Sequence, residues 1–253
     1  MTKTRMLATV LGCALLAGAT SPVLGASQDQ QKKSNRHHSD DWRQALVSGE
    51  GFLADHPDML NRKRAMEELE RGKPARAAVY FKRAARYADK QSQAAYAEML
   101  WEGRGIAQDR PAAYAWMDLA SERGYTLFLG FRERYWNALS EDERERALEV
   151  GEKVYAMYGD DVAKPRLERA LLRAKRKITG SRVGMVGQLL EIVIPGPGGR
   201  MVVDASTYYD KRYWEPANYW QWQKEIVDGA KEGKVIVGDF RRARDKGPQK
   251  DED

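Results

Sequence analysis

The chain has 253 residues, 42% of them hydrophobic, with 43 lysines and arginines against 37 aspartates and glutamates, a net charge of +6. So mild an excess of positive charge is not the footprint of a nucleic-acid binder. A single cysteine excludes an intramolecular disulfide, so an apolar core has to hold the fold together.

The first element is a charged start, Met-Thr-Lys-Thr-Arg, followed by an apolar run from Met6 to Ala19 and the small residues around Gly25 and Ala26. This pattern predicts a secretory signal peptide over 1–26. The 14-residue run is short of the ~20 that span a bilayer. Cleavage after Ala26, with Gly25 the nearby alternative, removes Cys13 and leaves a net charge of +4. "VLGC" at 10–13 imitates a lipoprotein site, but the apolar run continues past Cys13, which favours ordinary cleavage. No later stretch reaches membrane-spanning length. Residues 27–41 lack large apolar side chains and are expected to be a solvated lead-in. His37 and His38 beside Asp40 and Asp41 form a polar tail rather than a metal site, because nothing there fixes ligand geometry.

The middle of the chain repeats itself. At a shift of 35 residues, Ala77, Ala78, Phe81 and Ala85 fall on Ala112, Ala113, Trp116 and Ala120. Tyr96, Glu98, Leu100 and Trp101 likewise fall on Phe131, Glu133, Tyr135 and Trp136. A fainter third copy carries Ala112 to Ala147 and Gly124 to Gly159. A period of this length with helical spacing inside it predicts a stack of α-hairpins. Ala97, Leu100 and Trp101 share one helix face. Asp109 is placed to cap the next helix, with Pro111 in its first turn. Ala113, Trp116, Met117 and Ala120 form an i, i+3, i+4, i+7 stripe, and Gly124 ends it.

Gly103-Arg104-Gly105 raises the question of a phosphate-binding loop. Such a loop follows a buried strand and carries Lys-Ser, Lys-Thr or a third glycine at fixed spacing. Here the preceding segment reads as helix, no lysine follows, and Asp109 would repel a phosphate. The two glycines therefore predict a helix stop and a left-handed bend, with Ile106 tucked between helices.

These residues carry a resemblance. Residues 94–125 resemble a Sel1-like repeat, with Ala97, Leu100, Gly103, Gly105, Asp109, Ala113, Trp116, Ala120 and Gly124 at the family's motif places. Residues 75–93 resemble the second helix of a preceding, degraded copy. The resemblance implies right-handed stacks of helical hairpins that bind proteins, in bacteria often around envelope assemblies, and it implies no catalysis.

Beyond the repeats, Ser140 and Glu143 form a capping box opening a helix to about Tyr158. A second helix is expected from about Lys164 to Ile178, with Leu167, Ala170, Leu171, Ala174 and Ile178 on its apolar stripe. Its other face holds Lys164, Arg166, Arg169, Arg173, Lys175, Arg176, Lys177 and, just past it, Arg182, against Glu168 alone. Such a face is either simply solvated or receives an anionic partner: lipid headgroups, an acidic glycan or an acidic protein. After Gly180 the pattern becomes strand-like. Two strands are expected around a turn at 195–199, with a third in 233–240. Between them stand Tyr208, Tyr209, Tyr213, Trp214, Tyr219, Trp220 and Trp222. They are expected to pack on the last repeat helices rather than form a sugar platform. A helix from Glu215-Pro216 would bury Tyr219, Trp222 and Ile226.

Catalysis has little support. His56 stands alone before Pro57 in an expected loop, zinc spacing is absent, and carboxylate pairs are too easily proposed to count. No catalytic residue, metal ligand or cofactor is assigned. The expected organisation is a signal peptide (1–26), a lead-in (27–41), a mainly α solenoid of degenerate Sel1-like repeats (42–179), a small β-containing cap (180–241) and a tail (242–253). The expected role is a periplasmic or secreted scaffold that binds an envelope protein through Glu98, Glu102 and Glu133. The alternative is binding of an anionic glycan or lipid surface through Arg169, Arg173, Arg176 and Lys177, or of a glycan through the aromatic cluster at 208–222.

Overall fold

The computed structural model describes residues 43–179, 191–196 and 199–229, all within one compact unit, Trp42–Asp253. The expected signal peptide, the lead-in, Arg182, the third strand and the tail lie outside the described residues. Helix α1 covers 43–48. It is followed by α2 (Glu50–Ala54), α3 (Pro57–Glu70), α4 (Pro74–Ala85), α5 (Lys90–Glu102), α6 (Arg110–Ser121), α7 (Thr126–Ala138), α8 (Glu141–Tyr158) and α9 (Asp160–Thr179). A hairpin of β1 (Glu191–Gly196) and β2 (Gly199–Asp204) precedes α10 (Ala205–Tyr208), α11 (Lys211–Trp214) and α12 (Pro216–Gly229).

Local chemistry sets the helix ends. The Asp89 carboxylate accepts the Ser92 N–H at 3.3 Å and caps α5, and Asp109 does the same for α6 through Ala112 N–H at 3.1 Å. Each satisfies a backbone donor that the helix itself leaves open. Ser140 and Glu143 close a reciprocal capping box on α8. Proline occupies the first turns of α3, α4 and α6, where its missing donor costs nothing.

Gly103 ends α5 at φ 69°, ψ 26°, and its N–H and that of Arg104 both return to the Met99 carbonyl. Gly105 follows at φ 76°. The expected helix stop and left-handed bend are therefore what these glycines make. The segment is a loop between packed helices with Asp109 committed to a cap, not a phosphate cradle.

The helices pack in sequence order: α3 on α4, α4 on α5, α5 on α6, and α6 on both α7 and α8. Ala65, Ala77, Ala85, Ala97, Ala113 and Ala120 are fully buried at these crossings, so backbones approach closely and rings fill the layers between them. Trp116 sits between Tyr96 of α5, 4.8 Å away centroid to centroid, and Tyr158 of α8, 4.6 Å away. The fold is mainly helical, built of consecutive helix pairs, with a two-stranded antiparallel sheet near the C-terminus whose register runs from Glu191↔Asp204 to Gly196↔Gly199.

Four expectations about the C-terminal part change. Helix α9 begins at Asp160, not near Lys164, and runs through Pro165. Asp160 is anchored by Lys90 of α5 and by Arg123 in the turn after α6, and such contacts leave no trace in local propensity. The strands extend into the expected turn, to Gly196 and from Gly199. The stripe of α12 is Tyr219, Gln223 and Val227, with Trp222 and Ile226 only half-buried. The aromatic cluster packs, but mostly on α1 and α2 rather than on the last repeat helices as expected. Tyr208, Tyr213 and Trp214 surround Phe52 of α2, while Tyr219 meets Leu167 and Leu171 of α9. The C-terminal helices thus clasp α2, α3 and α9 together.

Candidate functional site

The acids expected to bind a partner lie on the face made by α5 to α8. Glu98 is half-buried rather than exposed, while Glu102 is exposed. Both neighbour the Tyr135 phenol of α7, whose pKa is pushed up by burial and by these two charges. The Tyr135 ring stacks on Trp101 at 4.0 Å with a 6° tilt, and the Arg110 guanidinium lies 4.5 Å from the centre of the Trp101 ring. Glu133 is exposed and pairs with Arg132 at 2.6 Å. It belongs to the other flank of α7, where Arg132 also reaches Asp118 of α6 at 3.5 Å. The structure therefore brings Glu98 and Glu102 together but sets Glu133 in a second cluster.

That second cluster runs along α6. Helices α7 and α8 both rest on α6, and Ala112, Tyr114 and Asp118 of α6 are left half-buried there. Tyr114 meets Trp136 of α7 at 4.8 Å. The Tyr155 hydroxyl of α8 donates to Asp118 at 3.0 Å, and burial together with that carboxylate pushes the phenol's pKa up. Arg144 covers Trp136 at 5.2 Å and donates to its carbonyl at 3.2 Å. The three rings are half-buried and the charges beside them are only partly desolvated. This combination of aromatic anchors and arginines is what protein interfaces favour.

The basic face of α9 divides in two. Lys164 pairs with Asp160 at 2.9 Å, Arg166 donates to the Met157 carbonyl at 2.6 Å and to that of Arg86, and Lys175 stands 3.8 Å from Glu215. These cations hold the fold. Arg169, Arg173 and Arg176 are exposed, and none of them makes an ion pair with another described residue. The Lys177 side chain lies outside the described residues.

A buried charged network was not anticipated. Arg62 of α3 binds Asp89, which also accepts from the Ser92 hydroxyl. Lys90, 2% exposed, donates to the Leu119 carbonyl at 3.0 Å and to Glu122 at 2.6 Å, and lies 3.1 Å from Asp160. Burial pushes the Lys90 ammonium's pKa down, against the pull of these acids. Arg123 grips Asp160 with two bonds, at 2.7 and 2.8 Å, and packs under Trp220. Burial opposes the charged form of Asp160, but the Arg123 bonds and the Lys90 charge outweigh it and hold the carboxyl below the ordinary range. The Tyr219 hydroxyl donates to Asp58, whose pKa burial and nearby Asp89 raise. A pocket with room for about one water lies beside Asp58, Lys90, Arg123 and Gln223.

This network ties α3, α5, α6, α9 and α12 together. One signal for it existed in the sequence: Asp58, Arg62, Ala65 and Glu68 follow helical spacing, but three of the four are charged and read as solvent-facing. His56 lies, as expected, in the loop before Pro57, but it is fully buried there, with Nδ1 2.8 Å from the Phe52 carbonyl and Nε2 3.0 Å from that of Tyr213. Both ring nitrogens are thereby occupied by the fold. Among the described residues no group of His, Cys, Asp or Glu side chains is placed to hold a metal, and no helix is long and apolar enough to cross a membrane.

The motif residues take structural places. Ala97, Leu100, Ala113, Trp116 and Ala120 are buried in one cluster, Asp109 caps α6, and Gly103, Gly105 and Gly124 all have positive φ. No family model and no curated protein matches the chain. Among solved structures it is similar to c5321, a protective antigen present in uropathogenic Escherichia coli strains displaying an SLR fold. The identity is 22% and the TM-score 0.39, over 47% of this chain and 26% of that one, so the chain spans about a quarter of that protein's length. The helix pairs packed in sequence order make this chain a hairpin stack that resembles the SLR fold.

Proposed function

We propose that the chain is an exported, non-catalytic scaffold of the bacterial cell envelope that binds a protein partner on the α5–α8 face. The observation that carries this reading is the half-buried aromatic and charged cluster where α7 and α8 meet α6. Tyr114, Trp136 and Tyr155 stand there half-buried among Asp118, Arg132 and Arg144. Rings held in place by neighbours lose little entropy on binding, and a surrounding of paired charges adds specificity rather than bulk affinity. Glu98, Glu102 and Glu133 extend the surface on either side of α7.

Affinity capture from an envelope fraction tests it. A protein partner should be retained at about 150 mM salt, where the Debye length is about 8 Å. Reversing Glu98 and Glu102 to lysine should release it. Retention by the doubly reversed, folded protein would place the binding surface elsewhere. The exported chain should begin at Ala26 or Ser27 when its N-terminus is sequenced. An intact Met1, or a lipid-modified Cys13, would reject the expected processing.

A further inference from the structure

Helix α9 has two opposite faces. Ala163, Leu167, Leu171 and Ala174 are buried against the rest of the fold. Arg169, Leu172, Arg173 and Arg176 follow i, i+3, i+4, i+7 and share the opposite face. All four are exposed, Leu172 by 50%, and Val162 lies on the same face at 36%. The face is about 10 Å long from Arg169 to Arg176 at the helical rise. Between Arg169 and Arg176 no residue of the helix is acidic; Glu168, just before them, accepts the Trp220 indole N–H at 3.0 Å, and exposed Asp161 stands beside Val162, two turns before Arg169. Every other cation described on this helix is engaged with a carboxylate or a carbonyl, so these three guanidinium groups stand apart.

From this we infer that the exposed face of α9 docks on a phospholipid bilayer surface carrying anionic headgroups. Guanidinium forks match phosphate oxygens two bonds at a time. A polyanion in solution would be held by the same arginines but would gain nothing from Leu172 and Val162. At a bilayer those two side chains reach the headgroup–acyl boundary while the arginines stay among the phosphates. The opposite face of the same helix is packed on the fold, through Ala163, Leu167, Leu171 and Ala174, which holds these side chains on a rigid element. The site lies on a different helix from the α5–α8 face, and the inference does not depend on the proposed scaffold role.

The test uses the exported chain with vesicles of phosphatidylethanolamine, with and without phosphatidylglycerol, measured by co-sedimentation. The protein should bind the phosphatidylglycerol vesicles and be released as salt rises. The triple variant Arg169→Gln, Arg173→Gln, Arg176→Gln should bind about 100-fold more weakly, from about a fivefold contribution by each of the three cations near an anionic surface. Leu172→Gln alone should weaken binding about fivefold, as a half-exposed leucine loses its place in the interface. Each variant keeps the N-terminal residues of the parent, so their contribution cancels, and circular dichroism confirms its fold. Reversal of Glu98 and Glu102 should leave vesicle binding unchanged. Equal binding by the triple variant overturns the inference. So does an arginine effect with none at Leu172, which reduces the face to a general anion site, or capture of an acidic protein through this face without vesicle binding.

Discussion

Gly105→Ala tests how the bend between α5 and α6 is built. At this position the backbone has φ 76°, and an added Cβ would lie 2.5 Å from both Ala75 N and Pro74 C, and 2.7 Å from Pro74 Cβ. Two penalties combine. The left-handed conformation costs an alanine about 1–2 kcal/mol. The clash is with backbone at the first turn of α4, which cannot swing aside as a side chain would, and such overpacking costs about 1–3 kcal/mol. Gly124→Ala is the control, because φ is 71° there and nothing lies within 4 Å of the added atom. That variant should lose only the conformational part, offset by up to about 1 kcal/mol from a stiffer unfolded chain. The same offset applies to Gly105→Ala, so urea unfolding followed by tryptophan fluorescence should show a loss larger by about 1–3 kcal/mol for Gly105→Ala than for Gly124→Ala. Equal losses would mean that the loop at 103–109 does not rest on α4, and that Gly105 serves only the turn.

Two further outcomes follow from the packing and the charges. Trp116→Ala should cost about 3–5 kcal/mol by opening a cavity between α5, α6 and α8, whereas Arg104→Ala should change stability by about 0.5 kcal/mol or less; similar shifts in the urea midpoint would contradict the assigned core. Asp160→Asn removes a carboxylate whose folded pKa is depressed, so the stability that it contributes is present above the unfolded value of about 3.9 and is lost as pH falls through the folded value. The variant should melt below the parent at neutral pH, with the gap narrowing below about pH 4; a gap independent of pH in thermal melts would show that the Arg123 and Lys90 contacts do not stabilise the ionised form.

The middle of the fold was legible because its signals are local. Asp109, Pro111, the Ala113–Trp116–Ala120 stripe and the capping box at Ser140 each act within a turn or two of helix, and the repeat period shows that hairpins stack on their neighbours. The left-handed bend at Gly103 and Gly105 was legible for the same reason, since only glycine adopts that conformation without strain. What the sequence could not disclose depends on residues far apart in the chain. Asp58 meets Tyr219, Arg123 meets Asp160, and His56 is held by the carbonyl of Tyr213. A charged residue reads as solvent-facing until its partner is in place, so the network binding α12 to α3 and α9 has no local signature. The basic helix illustrates both levels. Its excess of lysine and arginine was plain from composition, but only the tertiary structure separated Lys164, Arg166 and Lys175, which are spent on the fold, from Arg169, Arg173 and Arg176, which face outward, because burial and pairing are properties of the packed molecule.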